Sequence, residues 1–207
     1  MPKITALELA HIAPKEFQKE YLKWVEHALD YQWWEYIHDE LTTRLEPAGV
    51  EVRAIHFNIS YSQGDYATFS GRIKVAQWME STKCDAEMTY AQKYLALYLA
   101  ELDYGAYATM SANHRGGHAS VNYDGYVIGN TYPAGVFSGL DRDAWDELVA
   151  DQHAEADLET AMQKYVNDIS DTLYGQLRDE YEHQTSEESF IESCECNDDE
   201  FDFDFEE

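Results

Sequence analysis

Two short stretches gather residue types that move protons or hold anions. Ser62-Gln63-Gly64-Asp65 supplies a hydroxyl, an amide and a carboxylate. His114-Arg115-Gly116-Gly117-His118 supplies two imidazoles and a guanidinium. If both are hairpin connections of one sheet, Ser62, Gln63, Asp65, His114, Arg115 and His118 meet at one edge. Such a set does acid–base chemistry on a phosphoester or binds a small anion. The bland alternative is that Asp65 fixes a turn, Arg115 pairs with a nearby acid and the histidines face water. His118-Ala119-Ser120 has the His-x-Ser form of two-histidine phosphoesterases, but no second copy accompanies it. Cys194-Glu195-Cys196 is too closely spaced for the usual zinc pair. There is no P-loop, Gly-x-Gly-x-x-Gly, Gly-x-Ser-x-Gly or His-Glu-x-x-His, so no cofactor or metal is implied.

A second kind of chemistry is charge. Asp141, Asp143, Asp146, Glu147, Asp151, Glu155, Asp157 and Glu159 crowd one helical stretch with a single arginine among them. From Ser186 to Glu207 there are eleven acids and no Lys or Arg. Asp198, Asp199 and Glu200 then lead into Phe201-Asp202-Phe203-Asp204-Phe205, in which acid and aromatic alternate. Three phenylalanines are unusual in a merely solubilising terminus. In an extended strand their rings share one side, fit to lie in a partner's groove or add to its sheet edge. The expected core ends near His183. The segment from Asn197 is expected to order only against a partner.

These acids belong to a chain of 207 residues with Lys+Arg 14 against Asp+Glu 41, a net charge of -27. Such a chain repels polyanions, so direct nucleic-acid binding through a basic surface is excluded and anionic membranes are disfavoured. A hydrophobic fraction of 44% and 14% aromatics exclude a wholly disordered chain. No apolar run reaches a membrane span, and the first residues lack the apolar stretch of a signal peptide. Cys84, Cys194 and Cys196 make no disulfide framework. A soluble protein of the bacterial cytoplasm is expected.

The positioning elements follow from periodicity. Pro14 opens a helix whose Phe17, Tyr21, Trp24, Val25 and Leu29 form a stripe. A second helix is expected over Trp33–Leu45, stopped by Pro47-Ala48-Gly49. Alternation predicts strands over Ile55–Tyr61 and Tyr66–Arg72, then Tyr107–Ser111 and Ala119–Val127. Helices are expected over 86–102, 141–149 and Ala156–Glu182, and a short one after Thr185. The whole reads as α+β: one antiparallel sheet of about four strands packed against several helices. Residues 1–184 form the expected domain, and 185–207 a short helix with an acidic, Phe-containing tail.

Tyr61-Ser62-Gln63-Gly64-Asp65-Tyr66-Ala67-Thr68-Phe69 resembles the Ser-Gln-Gly-Asp-Gly-Ala-Ser-Phe element of a set of phage-encoded proteins. These are often labelled "antitoxin of toxin–antitoxin stability system". Tyr66 and Thr68 replace their glycine and serine. The Trp-rich segment, the His-Arg loop and Thr185–Ser193 fit the same pattern. The resemblance implies a phage context and neutralisation of a host protein.

Together these features lead to one expectation: a non-enzymatic phage accessory protein that binds and inhibits a basic, nucleic-acid-binding host protein. Its carboxylates would imitate phosphates in a defence, repair or toxin system. The alternatives are an antitoxin for a dedicated toxin, and a small enzyme or anion binder built on the two loops.

Overall fold

The computed structural model describes residues 3–59, 64–81, 107–112, 119–123 and 154–202. They are mixed helix and antiparallel strand. The expected helices over 86–102 and 141–149 lie outside the described residues. The chain divides into two compact units: Met1–Glu35 with Leu177–Glu207, and Tyr36–Gln176.

The first unit begins with β1 (Lys3–Ile4) and α1 (Ala6–Ile12). Thr5 and Glu8 form a reciprocal capping box that satisfies two orphan N–H groups of α1. α2 (Pro14–Val25) follows, with proline at its start, where the missing N–H had no helical partner to lose. The C-terminal half of the unit contains the end of the long helix α5 (Ala154–Gln184). α6 (Glu187–Cys196) and β6 (Phe201–Asp202) complete it. β6 pairs antiparallel with β1, Ile4 opposite Phe201 and Lys3 opposite Asp202.

Ile4, Ala6, Leu9, Phe17, Phe190 and Cys194 make one buried cluster. Phe190 is its hub, with ring centroids 5.5 Å from Phe17, 6.0 Å from Tyr21, 5.5 Å from Trp24 and 6.3 Å from Phe201. The stripe on α2 is thus a set of aromatic contacts to α6. The Tyr21 hydroxyl donates to the Thr185 carbonyl at 2.6 Å. Trp33 lies edge-on to Tyr181. This core extends past His183, where the apolar stripe alone had it stop. Phe190 and Cys194 carry it onward.

The second unit holds α3 (Glu35–Leu45) from Tyr36 onward, with Ile37, Leu41 and Leu45 buried at helical spacing. A 3-10 turn over Glu46–Ala48 ends at Gly49 in the left-handed region, φ 73°. A Cβ at Gly49 would stand 2.8 Å from the Gln77 Cβ, so only glycine fits both the backbone and the space. β2 (Val50–Asn58) and β3 (Tyr66–Lys74) form a hairpin. Expected from Ile55, β2 starts five residues earlier. A bulge between Val52 and Ala54 breaks the alternation there, hiding the strand from a period-two reading.

α4 (Val75–Ser81) follows β3 directly. β4 (Tyr107–Ala112) and β5 (Ala119–Tyr123) extend the pairing to the order β2-β3-β4-β5. On α5, Met162, Val166, Ile169, Leu173 and Leu177 are buried at spacings of three and four. Gln163 of α5 accepts the Val121 N–H at 2.9 Å, so a helix side chain occupies one donor of the last strand in that order. Trp78 of α4 lies edge-on to Tyr165 of α5.

Candidate functional site

The first unit concentrates the charge. Its 66 positions carry twenty Asp and Glu against five Lys and Arg, a net charge of -15. The other 141 positions carry -12. α6 displays this charge on a fixed face. Phe190 and Cys194, four apart, point into the core. Glu188, Glu192 and Glu195 recur at steps of four and three on the other side and are exposed, as is Asp199 beyond the helix end. None of the four pairs with a base among the described residues. Four of the first unit's five bases pair with other acids: Lys3 with Glu200 at 3.2 Å, Lys19 with Glu16, Lys23 with Glu20 and Arg178 with Glu182.

Local structure fixes both ends of α6. The Ser186 hydroxyl accepts the Ser189 N–H at 3.1 Å, so the cap is Ser186, one residue after Thr185. At the other end the Asp199 N–H donates to the Cys194 carbonyl at 2.8 Å and the Asp198 N–H to that of Glu195. This is a Schellman closure, with Asp198 in the left-handed position at φ 54°. Glu187 and Glu188 suit the positive end of the helix dipole. Glu195, Asp198 and Asp199 oppose the negative end, with no basic residue in the last turn. That placement costs stability, and the fold does not require it.

A pocket of about 240 Å³ lies beside this end, lined by Thr5, Ala6, Cys194, Glu195, Asp198, Asp199 and Glu200. Burial, with the charge of Asp199, pushes the Cys194 thiol up to about 11, which makes it a poor nucleophile near neutral pH. No set of three metal-ligating side chains forms among the described residues.

Of the tail residues expected to wait for a partner, Asn197 to Asp202 are ordered within the chain itself. Asp198 and Asp199 close α6, Glu200 pairs with Lys3, and Phe201 and Asp202 form β6. Phe201 packs against the unit's core, where the Phe-Asp alternation had suggested a partner's groove. Phe203, Asp204 and Phe205 lie outside the described residues, as do Asp141, Asp143, Asp146, Glu147 and Asp151. Glu155 lies in the first turn of α5.

The loop residues Ser62, Gln63, His114, Arg115 and His118 also lie outside the described residues, while Asp65 is half-buried just before β3. The strand directions bear on them. β3 runs away from the Gly64–Asp65 turn and β4 runs back towards it, Met110 standing opposite Gly71 and Ala108 opposite Ile73. Ala112 and Ala119, which flank the second connection, therefore lie at the sheet end where the first hairpin turns.

A feature missed in the sequence is the face of the β2–β3 hairpin that carries His56 and Thr68. His56 stands opposite Thr68, and its Nε2 lies 3.1 Å from the Ser70 Oγ. Alternation along β3 places Tyr66, Thr68, Ser70, Arg72 and Lys74 on one side, a signal present in the sequence. The facing position of His56 depends on register. Further along, the Lys74 ammonium bonds the Glu51 carboxylate at 2.8 Å. That bond, with the charges of Lys74, Arg72 and Arg53, holds the Glu51 carboxyl below its usual range.

No helix among the described residues is long and apolar enough to cross a membrane. No curated protein and no solved structure matches the chain. One family model matches residues 33–187, most of the chain, and the protein therefore belongs to the family described as "Domain of unknown function (DUF8835)".

Proposed function

We propose that this protein is a non-enzymatic phage accessory protein. It binds a basic host protein, a nucleic-acid enzyme of a defence, repair or toxin system in the bacterial cytoplasm, and blocks it by charge mimicry. The observation that carries this is the acidic face of α6. Three exposed carboxylates, Glu188, Glu192 and Glu195, without basic partners among the described residues, stand in a row on a helix whose other side is locked into an aromatic core, and Asp199 follows beyond its end. Successive carboxylates along an α-helix axis are roughly 4.5–6 Å apart, against about 3.4 Å per charge along one DNA strand. The row therefore offers a somewhat sparser line of charge to a groove built for phosphates. The partner's own attraction for phosphate supplies the fast encounter. In this reading the α+β domain, with its four-stranded sheet and several helices, is the scaffold, and the acidic C-terminal tail from 185 is the arm. An antitoxin would use the same surface against one dedicated toxin.

The test is the triple change Glu188→Gln, Glu192→Gln and Glu195→Gln, which keeps shape and removes three charges. Partner binding should weaken at least tenfold with the fold intact. Unchanged binding would remove α6 as the docking face.

A second reading has its own support: the shared sheet end of the two hairpin connections, which suits an anion binder or small enzyme. His114→Ala, Arg115→Ala and His118→Ala would then abolish an activity or ligand. In the mimic they leave partner binding unchanged.

A further inference from the structure

We propose that the pocket beside the C-terminal end of α6 seats a single arginine side chain of the partner. This deepens the mimicry reading and rests on it: α6 supplies a line of charge, and the pocket supplies an anchor.

The lining has two parts. Ala6 and Cys194, 1% and 4% exposed, make its buried side. Glu195, Asp198, Asp199 and Glu200 are exposed and supply its carboxylates. A long basic side chain has the matching parts, an apolar stem and a charged head. The size agrees. The pocket's volume of about 240 Å³ exceeds the roughly 150 Å³ that encloses benzene and falls short of the roughly 300–1,000 Å³ of small-molecule sites.

The acids are available. Lys3 meets Glu200 at 3.2 Å, but that pair is exposed, adds little and is screened by salt. Glu195, Asp198 and Asp199 pair with no base among the described residues. The negative end of the α6 dipole adds to them, with no basic residue in the last turn. Cys194 is an independent sign of an occupant. It is buried, and its thiol has no hydrogen-bond partner among the described residues. The charge of Asp199, itself in the lining, acts on that thiol, so the sulfur stands on the pocket side. Held protonated, it keeps the buried side neutral and can accept a weak bond from an N–H donor. No three side chains among the described residues converge as ligands of a metal ion would. Several carboxylates close together suit a flat group with five N–H donors, so a guanidinium fits better than the point charge of an ammonium. Arginines anchored in pockets also dominate interface energetics.

The probes are two capped tripeptides, acetyl-Gly-Arg-Gly-amide and its citrulline analogue, which keeps the shape without the charge. Each is titrated into the isotope-labelled full chain at constant ionic strength. The arginine peptide should shift the amide resonances of Ala6 and of Cys194 to Glu200, saturating at about 1–10 mM. The citrulline peptide should shift none of them. Asp199→Asn keeps the N–H that closes α6 and should weaken binding at least about fivefold. Should that variant fail to fold, Glu195→Gln, at an exposed position, should do the same. Glu26→Gln removes one charge from the same unit outside the pocket and should change nothing. Two outcomes overturn the proposal. In one, the arginine peptide shifts these amides no more than the citrulline peptide does. In the other, Glu26→Gln weakens binding as much as Asp199→Asn, which is diffuse attraction to an acidic chain. Capture of a basic protein from host lysate tests the mimicry separately. Arginine binding without a captured partner contradicts the mimicry and supports the pocket, whereas a captured partner with a silent pocket overturns the pocket alone.

Discussion

Phe201 stands edge-on to Phe190, ring centroids 6.3 Å apart and planes at 64°. β6 is thereby tied to the aromatic hub of the first unit. Phe201 is opposite Ile4 in the two-stranded sheet, so the contact joins the two ends of the sequence. Phe201→Ala should lower stability by about 1–3 kcal/mol, less than a fully buried phenylalanine would cost. Denaturant unfolding of the full chain measures it. A change within error would mean that Phe201 contributes nothing to its own core.

Asp198 closes α6 in a left-handed conformation that glycine adopts without steric penalty. Asp198→Gly also removes a negative charge from the negative end of the helix dipole. The variant should be more stable by about 0.5–1 kcal/mol, after the larger unfolded-state entropy of glycine is set against the gain. A loss of stability would show that the aspartate side chain holds the closure.

High pH should loosen the first unit before the second. Burial raises the Tyr21 hydroxyl, helped by the charge of Glu187 and by Tyr181, and burial with Asp199 raises the Cys194 thiol to about 11. Both groups are neutral when protonated, and both are held protonated more firmly in the fold than in the unfolded chain. Their contribution is complete below the unfolded values, 9.0 for the thiol and 10.0 for the phenol. It is lost as pH rises through the folded values. Stability should fall from about pH 9 upward, tracked by Trp24 and Trp33 fluorescence. Tyr21→Phe should flatten part of that fall. An alkaline limb that Tyr21→Phe leaves unchanged would contradict the assignment. Near neutral pH a thiol reagent should label exposed Cys196 and spare buried Cys194.

How far the sequence reveals this fold depends on the range of the signal. The stripe Met162, Ile169, Leu173 and Leu177 identifies α5 because amphipathic spacing is local. The buried Ile37, Leu41 and Leu45 identify α3 for the same reason. β2 is half legible, since the bulge before Ala54 interrupts its alternation. α1 carries a Thr5-x-x-Glu8 cap that a seven-residue helix makes easy to pass over. β1 and β6 are two residues each and exist only through each other, so no window of sequence contains their cause. The same non-local pairing unites 1–35 with 177–207. The acids of α6 are plain in the sequence, but their alignment needs Phe190 and Cys194 to fix the buried side. The donors along β3 are visible as alternation, whereas His56 joins them only through register.

Salt should act on the isolated protein and on its complex in opposite directions. Self-repulsion within a chain of -27 weakens as salt is added, so the free protein should melt at a higher temperature in about 0.5 M than in about 0.02 M sodium chloride. A lower melting temperature in salt would mean that the surface ion pairs outweigh the repulsion.

The central claim is that the acidic surface stands in for nucleic acid. Its most direct measurement uses the immobilised full chain, exposed to bacterial host lysate at low and high salt, with and without competing double-stranded DNA. A basic nucleic-acid-binding protein should be retained at about 0.05 M salt. It should be released at about 0.5 M, and also by DNA at constant salt. A partner whose retention is indifferent to both salt and DNA would contradict the account.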